Sequence, residues 1–171
     1  MSILFLTAAF TACVQVDDDT DDPNVPEPEE AVVFEVAIVK MAALDIKDAE
    51  ADALEVYGNI TAKLIRGNVT ETNTLWDTNG ESYLSVGVSD VPMTESVTYT
   101  VEAANIASSM LEVRADLSEH DFGEDNAPED LGNEAIMTPL KDITTSVEYD
   151  IVLNKSGGQE MKVTYSITRL P

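Results

Sequence analysis

The chain's residues predict an all-β fold, an antiparallel β-sandwich of about eight strands. Apolar and polar residues alternate with period two from Val32 onward, in short runs. Gly, Asn, Asp and Pro separate those runs, and the last two flank Asn154-Lys155-Ser156-Gly157-Gly158, a hairpin-like turn. One-sided alternation gives each sheet one apolar face, which two antiparallel sheets bury by packing together.

Taken in order, Phe34, Val36 and Ile38 share one face of the first strand. Asp48 to Leu54 has the composition of a helical turn, too short for a helical domain. Val56, Gly58, Ile60, Ala62 and Leu64 line one face of the second strand, with Glu55, Tyr57, Asn59, Thr61 and Lys63 opposite. A short strand is expected near Leu75. Leu84, Val86 and Val88 follow, then Val97, Tyr99 and Val101, then Leu111, Val113 and Ala115. Another short strand is expected near Ile136. Val147, Tyr149, Ile151 and Leu153 then pair with Met161, Val163, Tyr165 and Ile167. No internal repeat and no second domain are evident.

Acids outnumber bases by 33 to 9. Such a surface repels nucleic acid phosphates and anionic lipid unless a metal intervenes, so no nucleic acid partner is expected. Hydration in salty water would explain the overall charge but not its clustering. From Asp116 to Glu134 stand eight acids and no Lys or Arg: Asp116, Glu119, Asp121, Glu124, Asp125, Glu129, Asp130 and Glu134. A loop so composed must hydrate its carboxylates, protonate some, or bind a cation. Hard divalent ions such as calcium take several carboxylate and carbonyl oxygens at once.

The N-terminal region divides differently. Ile3 to Phe10 is apolar, too short to span a bilayer but long enough for a signal-peptide core. Phe10-Thr11-Ala12-Cys13 resembles a bacterial lipobox, which makes residues 1–13 a signal peptide ending at a lipidated Cys13. No Lys or Arg precedes Lys40, so the usual basic start is missing. With one Cys there is no internal disulfide. Residues 14–31, acidic and holding three prolines, read as a disordered tether. At roughly 3.1 Å per residue, its Asp17–Glu30 core extends some 40 Å. Gln15-Val16-Asp17-Asp18 resembles the export signal of surface-exposed lipoproteins in Bacteroidetes-type bacteria. The expected location is therefore the bacterial outer membrane, facing outward.

Residues 32–171 resemble a C2 domain, the calcium-dependent membrane-binding β-sandwich. The resemblance rests on Phe34 to Leu44 running into an Asp-bearing loop, on Val56-Tyr57-Gly58-Asn59-Ile60 after it, and on Leu75-Trp76-Asp77. It rests also on Leu111-Glu112-Val113-Arg114-Ala115-Asp116 entering an acidic loop that closes at Glu129-Asp130-Leu131-Gly132, and on Lys162 to Ile167 as a last strand. The Asp-Pro pair usual at the end of the first loop is absent, and Leu54-Glu55-Val56-Tyr57 stands there instead. The resemblance implies calcium as cofactor. It implies Asp45, Asp48, Asp52 and Glu55 as ligands from one loop and Asp116, Glu119, Asp121, Asp125 and Asp130 from the other. An EF-hand is not supported, because the sixth position counted from Asp121 is Asn126 and the twelfth is Gly132.

Other chemistries find less support. His120 is the one histidine, and its acidic surroundings suit a surface imidazole better than a transition-metal site. One His and a lipidated Cys do not assemble a nucleophile with its base, so no enzyme is expected. Trp76 fits a core aromatic, with sugar stacking as the functional alternative. The expected function is a membrane-anchored, non-enzymatic calcium-binding module that engages a lipid headgroup, a glycan or an envelope protein. Two alternatives are a structural or assembly envelope lipoprotein with a metal-free acidic sandwich, and a carbohydrate-binding sandwich.

Overall fold

A computed structural model describes residues 30–46, 52–120, 128–154 and 159–171. The expected signal peptide, Cys13 and nearly all of the tether lie outside the described residues, as do Asp48, Asp121 and Asp125.

The described chain is an antiparallel β-sandwich, as the alternation predicts. In the first sheet β1 (Ala31–Asp45) pairs on one side with β10 (Glu160–Arg169), which pairs with β9 (Ser146–Leu153). The other side of β1 holds two short strands in succession, β5 (Val91–Pro92) and β6 (Ser96–Glu102). The second sheet repeats this plan. There β2 (Ala53–Arg66) pairs with β7 (Ser109–Glu119), which pairs with β8 (Glu129–Pro139). The free side of β2 carries β3 (Val69–Thr78) and then β4 (Leu84–Gly87). Ten strands among the described residues thus fill eight lanes, four per sheet, which accounts for the expected count of about eight.

The hairpin read from the sequence has the register that its apolar faces require. Val147 pairs with Ile167, Tyr149 with Tyr165, Ile151 with Val163 and Leu153 with Met161. The inward residues of both sheets form one core, including Phe34, Val36, Ile60, Leu64, Leu111 and Ile167. Burial of this apolar area at roughly 25 cal/mol per Å² drives the packing. Tyr99 ties the sheets together: its hydroxyl, reaching across from β6, donates to the Ala62 carbonyl of β2 at 2.6 Å.

Several elements differ from expectation. The strands near Leu75 and Ile136 are ten and eleven residues long. Val88 lies beyond the end of β4 and is 70% exposed, so it does not share the buried face of Val86. β2 begins at Ala53, before the expected helical turn would end. The acidic stretch is mostly strand rather than loop, since β7 continues through Glu119 and β8 resumes at Glu129.

Two glycines shape the sheet beside that stretch. Gly58 and Gly132 both stand opposite Leu117, one on each neighbouring strand, with φ of 125° and 137°. A Cβ added at Gly58 would run into the Asp116 carbonyl oxygen, a clash no side chain could relieve. The register also slips between Leu117 and Ser118, a bulge that bends β7 and β8 just before their acidic ends.

Candidate cation site at the loop-bearing end

The strand register brings distant segments together. Val56, near the start of β2, stands opposite Glu119 at the end of β7, and Glu119 stands opposite Glu129 at the start of β8. The His120 N–H donates to the Glu55 carbonyl at 2.8 Å, extending the ladder by one residue. The chain therefore enters β2, leaves β7 and enters β8 at one end of the sandwich. The start of β10 lies there with the end of β1, since Asp45 pairs with Glu160. So does the short link from Gly87, opposite Ala53, to Val91, opposite Met41.

Five of the expected ligands lie at this end. Asp45 closes β1 and Asp52 precedes β2, both exposed. Glu55 lies half-buried in β2, and its Oε2 is shielded from solvent without a hydrogen-bond partner. Glu119 points inward and is only 6% exposed. Asp130 stands opposite Ser118 and is exposed, one position deeper along the ladder than Glu119.

Asp116 sits apart from these. It occupies the exposed face of β7, opposite Asn59 and Asn133. Three residues at about 3.3 Å each put it roughly 10 Å back from Glu119 along the strand. Its Oδ2 accepts a hydrogen bond from Asn133 Nδ2 at 2.8 Å, and Asn133 Oδ1 accepts one from Arg114 Nη1 at 2.5 Å. Arg114 and Lys63 also flank Glu112, at 3.5 and 3.4 Å. The result is a lattice of alternating polar groups across the outer face of the sheet.

The structure adds groups that the sequence reading left out. Glu129 shares the inward row with Glu119, and its Oε2 is shielded with no hydrogen-bond partner. The bulge at Leu117 shifts the parity of β8 against β7, so simple alternation could not have revealed that pairing. Asp90 lies in the link before β5, bonded to Lys40 Nζ at 2.7 Å, and this contact raises the Lys40 pKa. Tyr83 lies beside Glu55, whose negative charge, together with some burial, raises the phenol's pKa. The Tyr83 and His120 rings are 6.3 Å apart and tilted by 31°.

The donor set at this end consists of carboxylate oxygens, the hard ligands that calcium prefers. Two carboxylates with shielded, unpartnered oxygens (Glu55 and Glu129) suit a cation. Among the described residues, however, no three of the His, Cys, Asp and Glu side chains form a group that could hold a metal ion. Also among the described residues, no helix is long and apolar enough to cross a membrane.

The class these features define is an antiparallel β-sandwich with acidic residues at the strand ends of one pole. No family model matches the chain, and no curated protein does. Among solved structures it is similar to a C2 domain of plant extended synaptotagmin 1, at 16% identity and a TM-score of 0.46. That likeness covers 82% of this chain and 95% of the other. The chain is also similar to a pair of C2 domains from extended synaptotagmin 2, at 13% identity and a TM-score of 0.43, over 98% of this chain and 49% of the other. Human GIVD cytosolic phospholipase A2 is similar at 8% identity and a TM-score of 0.40, but this chain spans only 18% of its length. C2 domains are the family that the sequence resembles. The fold assignment itself rests on the strand order given above.

Proposed function

We propose that this chain is a non-enzymatic binding module whose loop-bearing end takes calcium and engages a lipid headgroup, a glycan or a protein partner. The observation that carries the reading is the row Val56, Glu119 and Glu129, which brings the start of β2, the end of β7 and the start of β8 to one place. Asp45, Asp52, Glu55, Glu119 and Glu129 are the described residues that would hold the ion, with Asp48, Asp121 and Asp125 from the adjoining segments. Bound calcium would neutralise these carboxylates and present a positive centre to phosphate or hydroxyl oxygens.

The same reading includes the anchor: a lipid on Cys13 and an acidic tether over residues 14–31, in the outer membrane of a bacterium. The alternative is a structural envelope lipoprotein whose acidity serves solvation alone. Sugar stacking on Trp76 has less support, because that side chain is half-buried and packs against the core.

Calcium titrated calorimetrically into the metal-free chain should release or absorb measurable heat and raise the melting temperature by several degrees, since a ligand that binds only the folded state stabilises it. If no heat appears, and sodium chloride at equal ionic strength stabilises as well as calcium does, the module reading fails and the structural one stands. Membrane release of a Cys13→Ser variant tests the anchor separately.

A further inference from the structure

The sequence contains one Asn–Gly step, Asn79-Gly80, in the exposed turn between β3 and β4. The Thr78 hydroxyl donates to the Ser82 carbonyl, and the Ser82 N–H donates to the Asn79 carbonyl at 2.9 Å. The Glu81 N–H donates to Asn79 Oδ1 at 3.1 Å. The last bond folds the Asn79 side chain back over the residues that follow it. Its amide oxygen thereby already has a fixed donor. A donor placed where negative charge will develop assists attack on the adjoining carbonyl carbon. Gly80 has no Cβ to obstruct its own nitrogen.

We propose that Asn79 is a site of spontaneous covalent modification, in which the Gly80 nitrogen displaces the side-chain amide. Solvent hydroxide takes the proton from the Gly80 N–H, and the nitrogen's electron pair forms a bond to Asn79 Cγ. The Cγ–Nδ2 bond then breaks, and Nδ2 leaves as ammonia with a proton from water, closing a succinimide ring. One water molecule opens the ring. Attack at Cγ breaks the new Cγ–N bond and leaves aspartate at position 79. Attack at the backbone carbonyl carbon breaks the original peptide bond instead and leaves isoaspartate, with the main chain routed through Cβ. Either product adds a negative charge.

The site matters because of what the turn rests on. A Cβ added at Gly80 would lie 3.3 Å from His120 Cδ2 and 4.0 Å from Tyr57 Cε1. The turn is therefore packed against the residue that leads into segment 121–127. The extra main-chain carbon of isoaspartate lengthens the turn and lifts it from that support.

The test holds the full chain in mildly alkaline buffer and digests it with trypsin at intervals. Fragment 67–114 contains Asn68, Asn73, Asn79 and Asn105, followed by Val69, Thr74, Gly80 and Ile106. The β-branched neighbours shield the other three sites, which serve as internal controls. Mass spectrometry should show a gain of about one dalton at position 79 before any of the others, as replacement of an amide by an acid requires. An isoaspartyl methyltransferase should label the product, and Asn79→Ser should abolish both signals. A chain held in urea supplies the unfolded rate. The inference is overturned if position 79 changes no faster than Asn68, or if it changes more slowly in the folded chain than in the chain held in urea.

Discussion

Asn133 on β8 donates its side-chain N–H to the Asp116 carboxylate on β7 at 2.8 Å, at a position three residues back from the acidic tip. The carboxylate belongs to the polar lattice of the sheet's outer face, where Arg114 holds the other side of Asn133. Asp116→Asn should therefore cost about 1 kcal/mol or less, as exposed polar pairs do. It should leave calcium affinity nearly unchanged, whereas Asp121→Asn should weaken it. Calorimetric titration of the two variants side by side checks this, and a larger loss at Asp116 would return that residue to the site.

Gly58 is a second point of sensitivity. A methyl group there would collide with the Asp116 carbonyl oxygen at a φ of 125°. Gly58→Ala should destabilise the fold by at least about 2 kcal/mol, combining backbone strain with a shift of β7. Gly67→Ala is the control: its φ is also positive, at 57°, but nothing lies within 4 Å of the added carbon. It should cost only about 1 kcal/mol. Urea unfolding of both variants distinguishes steric collision from conformational preference.

Glu129 and Glu119 face each other across the inward row. Like charges directly opposite on adjacent strands destabilise the pair, by roughly 0.2–1 kcal/mol. In metal-free buffer Glu129→Gln should therefore raise the melting temperature, and it should reduce the extra stabilisation that calcium confers. A variant less stable than the parent without calcium would show that this carboxylate serves the fold rather than an ion.

Tyr99 and Tyr165 are both buried, and burial raises the phenol pKa of each above its usual value. An acid with a raised folded pKa contributes stability that is complete below its unfolded pKa. That stability is lost as pH rises from the unfolded value through the folded one. The window opens near pH 10, the ordinary tyrosine value, with a maximum slope of about 1.4 kcal/mol per pH unit for each group. Equilibrium unfolding from about pH 9 to 11, repeated with Tyr165→Phe, should show the slope fall in the variant.

Much of the fold could be read from the residues, because apolar alternation marks which face of each strand is buried. The hairpin of β9 and β10 shows this best: every inward residue of one strand meets an inward residue of the other. Irregularities were harder to foresee. Gly58 looked like one more inward position, yet it marks a close approach to Asp116. The site was less legible still, because charge counts locate acids along the chain and not across it. Glu129 became a neighbour of Glu119 only through the bulge at Leu117. Asp116, equally acidic in sequence, lies on the outer face three residues further back along β7.

The direction of β1 sets how the molecule can be presented. β1 begins at Ala31 and β10 finishes at Arg169, close together because Phe34 pairs with Arg169. Both described chain ends thus emerge at the pole away from Asp45, Glu119 and Glu129. A rigid attachment at either described end would hold the molecule by its rear. Those carboxylates would then look outward, toward whatever lies across the gap rather than toward the surface that carries the molecule.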